Sequence, residues 1–187
     1  MKITSQFIPD VLLIEPDIFS DERGFFLETA RSNILKKHGI PDLIQHNQSR
    51  SRYGILRGLH YQLVDPQGKL VRCSRGKIFD VAVDIRLGSP TFSKWVGFYL
   101  DDINHHQIWI PPGFAHGFLV LSELADVCYS CSNYYHSESE NGIVWNDNQL
   151  NISWPELSIN NVPKLSDKDK LFPLLEDQNK DLLPSFI

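Results

Sequence analysis

The sequence lacks an excess of positive charge: 18 lysines and arginines stand against 23 aspartates and glutamates, a formal net charge of -5. Broad affinity for nucleic acid is not expected, because phosphate backbones are held by a surplus of Lys and Arg. A single small anionic ligand needs only a few local cations and remains open. Long apolar runs are also missing. No stretch approaches the eighteen or so apolar residues that span a bilayer, and Met1-Lys2-Ile3-Thr4-Ser5-Gln6 does not lead into a run of signal-peptide length. The expectation is a soluble cytoplasmic protein with no membrane partner. Cysteine is scarce and odd in number: Cys73, Cys128 and Cys131. Cys128-x-x-Cys131 lacks the second pair of a zinc site, so free thiols in a reduced compartment are expected. There is no low-complexity tract and no fixed-period repeat, which argues against linkers and solenoids.

What is there is a chain of 187 residues with 42% hydrophobic composition, enough to bury a core as one domain spanning 1–187. A helix is predicted over residues 29–38, stopping at Gly39 with Lys36, Lys37 and His38 in its last turn. Beyond it the pattern is β-rich. Residues 69–74 and 78–85 flank Arg75-Gly76 and read as a hairpin, and further strands are predicted over 95–100, 107–110, 117–121, 127–133 and 142–145. Many short strands with turn signals between them imply an antiparallel sandwich or small barrel. The segment from about 155 to 187, rich in Asn, Asp, Lys and Pro, is expected to be irregular, with one short helix.

Along Gly54-Ile55-Leu56-Arg57-Gly58-Leu59-His60-Tyr61-Gln62, strand alternation puts Arg57, Leu59 and Tyr61 on one face and Gly58, His60 and Gln62 on the other. His60 alone reads as a core histidine. A second histidine, His116, sits among Pro111, Pro112, Gly113 and Gly117, where the backbone is tightly fixed. Polar groups gathered in an apolar barrel are costly unless paired or used. A metal reading would need a His-x-His pair with a nearby Glu, and this chain has His60-Tyr61-Gln62 with only Asp65 close behind.

Without a metal, the remaining set is His60, Lys69, the tyrosines Tyr129, Tyr134 and Tyr135, and the carboxylates Asp84 and Asp169. It suits proton transfer at carbon. A histidine titrates near ~6.5 and accepts a proton when a carboxylate orients it. Loss of a proton beside a ketone puts charge on the ketone oxygen, where an ammonium lowers the barrier. Inversion also needs an acid on the opposite face, and a phenol that is neutral at pH 7 serves. If the strand ran on through residue 135, Tyr129 and Tyr135 would share a face and Tyr134 would look away. Arg23 and Arg57 could hold a diphosphate by paired hydrogen bonds.

These segments resemble the dTDP-4-dehydrorhamnose 3,5-epimerase family. The likeness runs through Phe19-Ser20-Asp21-Glu22-Arg23-Gly24-Phe25-Phe26, Gln45-His46-Asn47-Gln48-Ser49, Leu56-Arg57-Gly58-Leu59-His60-Tyr61-Gln62, Gln67-Gly68-Lys69, the His116 segment, Tyr134-Tyr135 and Leu165-Ser166-Asp167-Lys168-Asp169. It implies a mainly β fold, a double-stranded β-helix or cupin jelly-roll barrel with a few short helices. It further implies a homodimer without metal or other cofactor, acting on dTDP-4-dehydro-6-deoxy-D-glucose by inversion at C3 and C5. On the matching positions His60 is the base, Asp169 its partner, Tyr129 the acid and Lys69 the enolate stabiliser. Tyr135 stacks on thymine, and Arg23, Glu28, Gln45, Asn47, Arg57, His116, Glu140 and Lys168 line the substrate, Arg23 from across the dimer. A relative that inverts one carbon, a binding module without chemistry and a metal-dependent oxygenase are the other readings. Two features depart from the family pattern: His46 stands where Asp is common, and the stretch between His60 and Lys69 is one residue shorter.

Overall fold

The computed structural model describes residues 1–158 and 162–186. In chain order its elements are β1 (Lys2–Ser5), β2 (Leu12–Glu15), β3 (Ile18–Asp21), β4 (Gly24–Leu27), α1 (Ser32–Lys37), β5 (Gln45–Arg52), β6 (Leu56–Gln62) and β7 (Lys69–Arg75). There follow β8 (Lys77–Asp84), β9 (Trp95–Asp101), β10 (Gln107–Ile110), β11 (Phe114–Val120), β12 (Leu124–Cys131) and β13 (Glu140–Gly142), with three single-turn 3-10 helices in the last third. Two antiparallel sheets pack face to face, one in the order β1-β2-β10-β7-β12-β5 and the other β13-β6-β11-β8-β9. The expected cupin-type jelly roll is what forms.

Between the sheets lies an apolar layer. Val71, Cys73, Ile108, Ile110, Ala125 and Val127 come from the six-stranded sheet and meet Ile78, Ala82, Leu100, Phe114, Phe118 and Val120 from the other. Alternate residues on β8 and β11 turn outward. There Leu59, Phe79, Val81, Val83 and Ala115 are roofed by Ile143, Leu150, Leu175 and Leu183, so most of the five-stranded sheet is buried on both faces. This explains why β8 and β11 read as near-continuous apolar runs. The irregular C-terminal segment is therefore a lid over one sheet, with its own 3-10 turns at Asp169–Leu171 and Lys180–Leu182.

Three sequence expectations are corrected. The helix covers only Ser32–Lys37, because no side chain caps its start and Arg31 turns back to pair with Glu28. β7 and β8 do not form a hairpin: β7 pairs with β10 and β12, β8 with β11 and β9. The Arg75-Gly76 turn is instead the corner where the chain passes from one sheet to the other. A methyl group on Gly76, whose φ is +80°, would lie 2.1 Å from the Leu124 carbonyl oxygen. Finally, two strands are displaced: the one over 127–133 starts at Leu124 and stops at Cys131, and the one over 142–145 is instead Glu140–Gly142. Among the described residues no helix is long and apolar enough to cross a membrane, and all three cysteines are unpaired.

Candidate active site

At one end of the sandwich the apolar layer gives way to a cavity of about 340 Å³. Phe118 belongs to both, forming its floor. The five-stranded sheet contributes Arg57, His60 and His116 to the walls, and the six-stranded sheet contributes Gln45, Asn47, Lys69 and Tyr129. Gln45, Asn47 and Ser49 alternate inward along β5, while His46 points out and bonds Ser130 Oγ at 2.8 Å. The departure at His46 thus falls outside this cavity. Lys69 still lines the cavity despite the shorter approach from His60.

Arg57 and His60 share the cavity, which strict alternation forbids for residues three apart. The reason is a β-bulge. Opposite β11, His116 pairs with His60 and Phe118 with Arg57, so two steps on β11 match three on β6. The extra residue is accommodated at Gly58, whose φ is +125° and where a methyl group would lie 2.5 Å from Gly117 Cα. Only a glycine fits.

Each cavity histidine is gripped by a carboxylate. His60 Nε2 lies 3.0 Å from Asp169 Oδ1, and Asp169 Oδ2 accepts the Gly58 amide at 3.2 Å. The distant Asp169 arrives on the first 3-10 turn of the C-terminal lid and is only 4% exposed. Burial pushes its carboxyl up, but the His60 hydrogen bond and charge, with the Gly58 amide, outweigh that and hold it below the usual aspartate value. With Nε2 donating to Asp169, the Nδ1 of His60 is the ring atom that can accept a proton. His116 Nε2 is 3.0 and 2.9 Å from the two oxygens of Asp80, which is fully buried.

Across from His60, Tyr129 presents a phenol with no hydrogen-bond partner among the described residues. Burial raises its pKa above the ordinary tyrosine value, with the neighbouring Cys131 adding and Arg57 opposing, so it stays protonated at neutral pH. Lys69 makes no ion pair among the described residues. Burial lowers its ammonium pKa, against the pull of Cys131, Glu140 and Asp80. At the mouth, Glu140 accepts from Tyr135 Oη at 3.1 Å and pairs with Lys168. Burial pushes the Glu140 carboxyl up, and the Lys168 bond and the charges of His60 and Lys168 bring it below its usual value.

Tyr135 reaches this mouth from a loop, not from the strand that the spacing suggested. Two glutamines fix that loop: Gln45 Oε1 accepts the Tyr135 amide at 2.9 Å, and Gln62 bonds the backbone of Tyr134 and His136. Tyr134 itself is 61% exposed and outside the cavity. Three expected lining residues are absent from it: Lys168, which reaches the mouth only as the partner of Glu140, and Arg23 and Glu28. Arg23 lies at the turn between β3 and β4, bound to Asp21, and Glu28 follows β4, bound to Arg31. Asp84 takes no part either. It sits at the end of β8, held by Arg86, Ser89 and Thr91.

Sequence reasoning missed Ser49, Tyr61, Gln67 and Phe118 in the lining and Asp80 behind it. Ser49 follows from the same alternation as Gln45 and Asn47. A lone acid within the apolar run Ile78-Phe79-Asp80-Val81-Ala82 was the available signal for Asp80.

Known proteins resemble this chain in sequence and fold. The family model described as dTDP-4-dehydrorhamnose 3,5-epimerase matches residues 5–177. The dTDP-4-dehydrorhamnose 3,5-epimerase of Pseudomonas aeruginosa is 51% identical over 172 residues, covering 91% of this chain and 93% of that protein. Among solved structures, dTDP-6-deoxy-D-glucose-3,5-epimerase RmlC from Legionella pneumophila, in complex with dTDP-4-keto-L-rhamnose, superposes with a TM-score of 0.96 at 49% identity, covering 100% of this chain and 98% of that one. ChmJ, a 3'-monoepimerase from Streptomyces bikiniensis in complex with dTDP-quinovose, gives a TM-score of 0.90 at 34% identity over 97% and 92% of the two chains.

Proposed function

The chain belongs to the dTDP-4-dehydrorhamnose 3,5-epimerase family, and on that premise we propose how its cavity performs the reaction. The enzyme is an isomerase that converts dTDP-4-dehydro-6-deoxy-D-glucose to dTDP-4-dehydro-L-rhamnose, the epimerisation step of dTDP-L-rhamnose biosynthesis. His60 Nδ1 removes the proton at C3 or C5, the carbons flanking the C4 ketone. The electron pair moves into the C–C bond and the carbonyl electrons onto oxygen, forming an enolate. Asp169 keeps the His60 ring oriented and offsets the charge it gains. Lys69 stabilises the enolate oxygen. Tyr129 then returns a proton to carbon from the other side and is reprotonated from solvent, as His60 releases its proton to solvent. Inversion follows because proton removal and return use opposite faces.

The observation that carries this reading is the placement of base and acid on facing sheets: His60 on β6 of the five-stranded sheet and Tyr129 on β12 of the six-stranded one, with Lys69 between them in the chain and in the same cavity. Around the reacting sugar, Arg57, Gln45, Asn47, His116, Glu140 and Lys168 hold the diphosphate and hydroxyls, and Tyr135 stacks on thymine. The reaction uses no metal or organic cofactor, and its setting is the cytoplasm.

Arg23 and Glu28 belong to the site through a homodimer. The β3–β4 hairpin exposes Phe19, Phe25 and Phe26 at 64, 58 and 70%, a patch that a second copy covers while receiving Arg23 and Glu28 at its own cavity. Light scattering on the purified chain is expected to give twice the 21.5 kDa chain mass; a monomer that is fully active refutes the shared site.

Incubation with dTDP-4-keto-6-deoxyglucose in deuterated water tests the reaction. Deuterium at both C3 and C5 is expected. Label at one carbon alone would make the chain a monoepimerase of the ChmJ kind, and binding without any label would leave a binding module.

A further inference from the structure

β8 carries two fully buried carboxylates four residues apart, and they are treated very differently. Asp84 accepts from the Arg86 amide and guanidinium, from Ser89 Oγ at 2.6 Å and from Thr91 Oγ1 at 2.7 Å. These donors explain its burial, since a desolvated carboxylate needs its oxygens occupied. Asp80 has one donor, His116 Nε2, shared between its two oxygens. Among the described residues no backbone amide and no hydroxyl helps it. A satisfied structural acid resembles Asp84; Asp80 resembles a group kept at a cost for what it does to its single partner. That partner lines the cavity, pairs in register with the base His60, and has its second ring nitrogen, Nδ1, unbonded among the described residues.

We propose that Asp80 is a positioning residue of the reaction: by gripping His116 at Nε2 it fixes the ring so that Nδ1 is the one nitrogen offered to the sugar, beside the base. The proposal rests on the epimerase reading and adds to it a residue behind the cavity wall. Lys69 is a second charge coupled to Asp80, and a role exerted through Lys69 is the rival to be separated. Burial pushes the Asp80 carboxyl above the usual aspartate value, with His116 and Lys69 pulling the other way.

A double-mutant cycle decides it. Asp80→Asn keeps the volume and is expected to lower kcat by about tenfold to a hundredfold with KM little changed, the scale of a misplaced catalytic contact. In a His116→Gln background the same change is expected to cost less than about twofold more, because residues acting as one unit are not additive. Equal losses in both backgrounds overturn the proposal, as does non-additivity with Lys69→Met in place of His116→Gln. Should Asp80→Asn not fold, nitrogen-15 spectra of the histidine-labelled wild type still decide: His116 is expected to carry its proton on Nε2, and a bare Nε2 refutes the grip. A wild type that exchanges no solvent deuterium into the keto sugar sinks the epimerase reading instead, while the spectra still report on Asp80.

Discussion

Two histidine–aspartate pairs stand side by side on neighbouring strands, and they are built in opposite ways. His60 keeps 26% of its side chain exposed and takes its carboxylate from the C-terminal lid, 109 residues away. His116 keeps 9%, and its carboxylate belongs to the core strand next to it. A base that turns over must return its proton to water after each cycle, and the open pair has the better access to do so. The sealed pair is suited to hold one geometry throughout. The assignment of His60 as base therefore has support from burial alone, apart from any likeness to known enzymes.

The sharpest way to break this division is His60→Ala. Solvent exchange at both carbons is expected to fall by about 10²–10⁴, the usual worth of a general base; near wild-type exchange by deuterium NMR would pass the role to His116. Tyr129→Phe has a smaller and more selective effect: inversion is expected to drop about a hundredfold while proton removal survives. Inversion unharmed would mean that His116 is the acid and that the two pairs work as donor and acceptor. The smallest effect concerns stability. The Asp169 carboxyl is depressed in the folded state, so its contribution is fully present above the unfolded value of about 3.9 and is lost as pH falls through the lower folded value. Asp169→Asn is expected to lower Tm by a few degrees at neutral pH, with the gap to wild type closing below about pH 4. A gap that persists unchanged into acid would detach Asp169 from the His60 pair.

Much of this was legible in the chain. Strands from Lys69 onward announced themselves by β-branched and aromatic runs, and nine expected site residues do meet at one cavity. β1 to β4 are short, and the β3–β4 hairpin exposes the aromatics that a strand pattern would bury, so local pattern gave no sign of them. The Arg75-Gly76 corner misled because a turn signal says where the chain bends and not which sheet receives it. Asp169 stood among the candidate carboxylates, but its pairing with His60 emerged only through family likeness, since nothing local ties an acid in an irregular tail to a histidine far upstream. Asp80 escaped because a strand reading counts the residues that fit and passes over the one that does not.

The contact between Gly58 and Gly117 carries a consequence for how this protein can change over time. Because β6 spends one extra residue between Arg57 and His60, its chain length there is as much a part of the site as its side chains. Deleting a single residue between the two would leave a regular strand, restore simple alternation and expel either the arginine or the histidine from the cavity. Many residues around this segment can be exchanged for others of similar size, but its residue count cannot drift, so insertions and deletions in the lineage of this enzyme should accumulate everywhere except here.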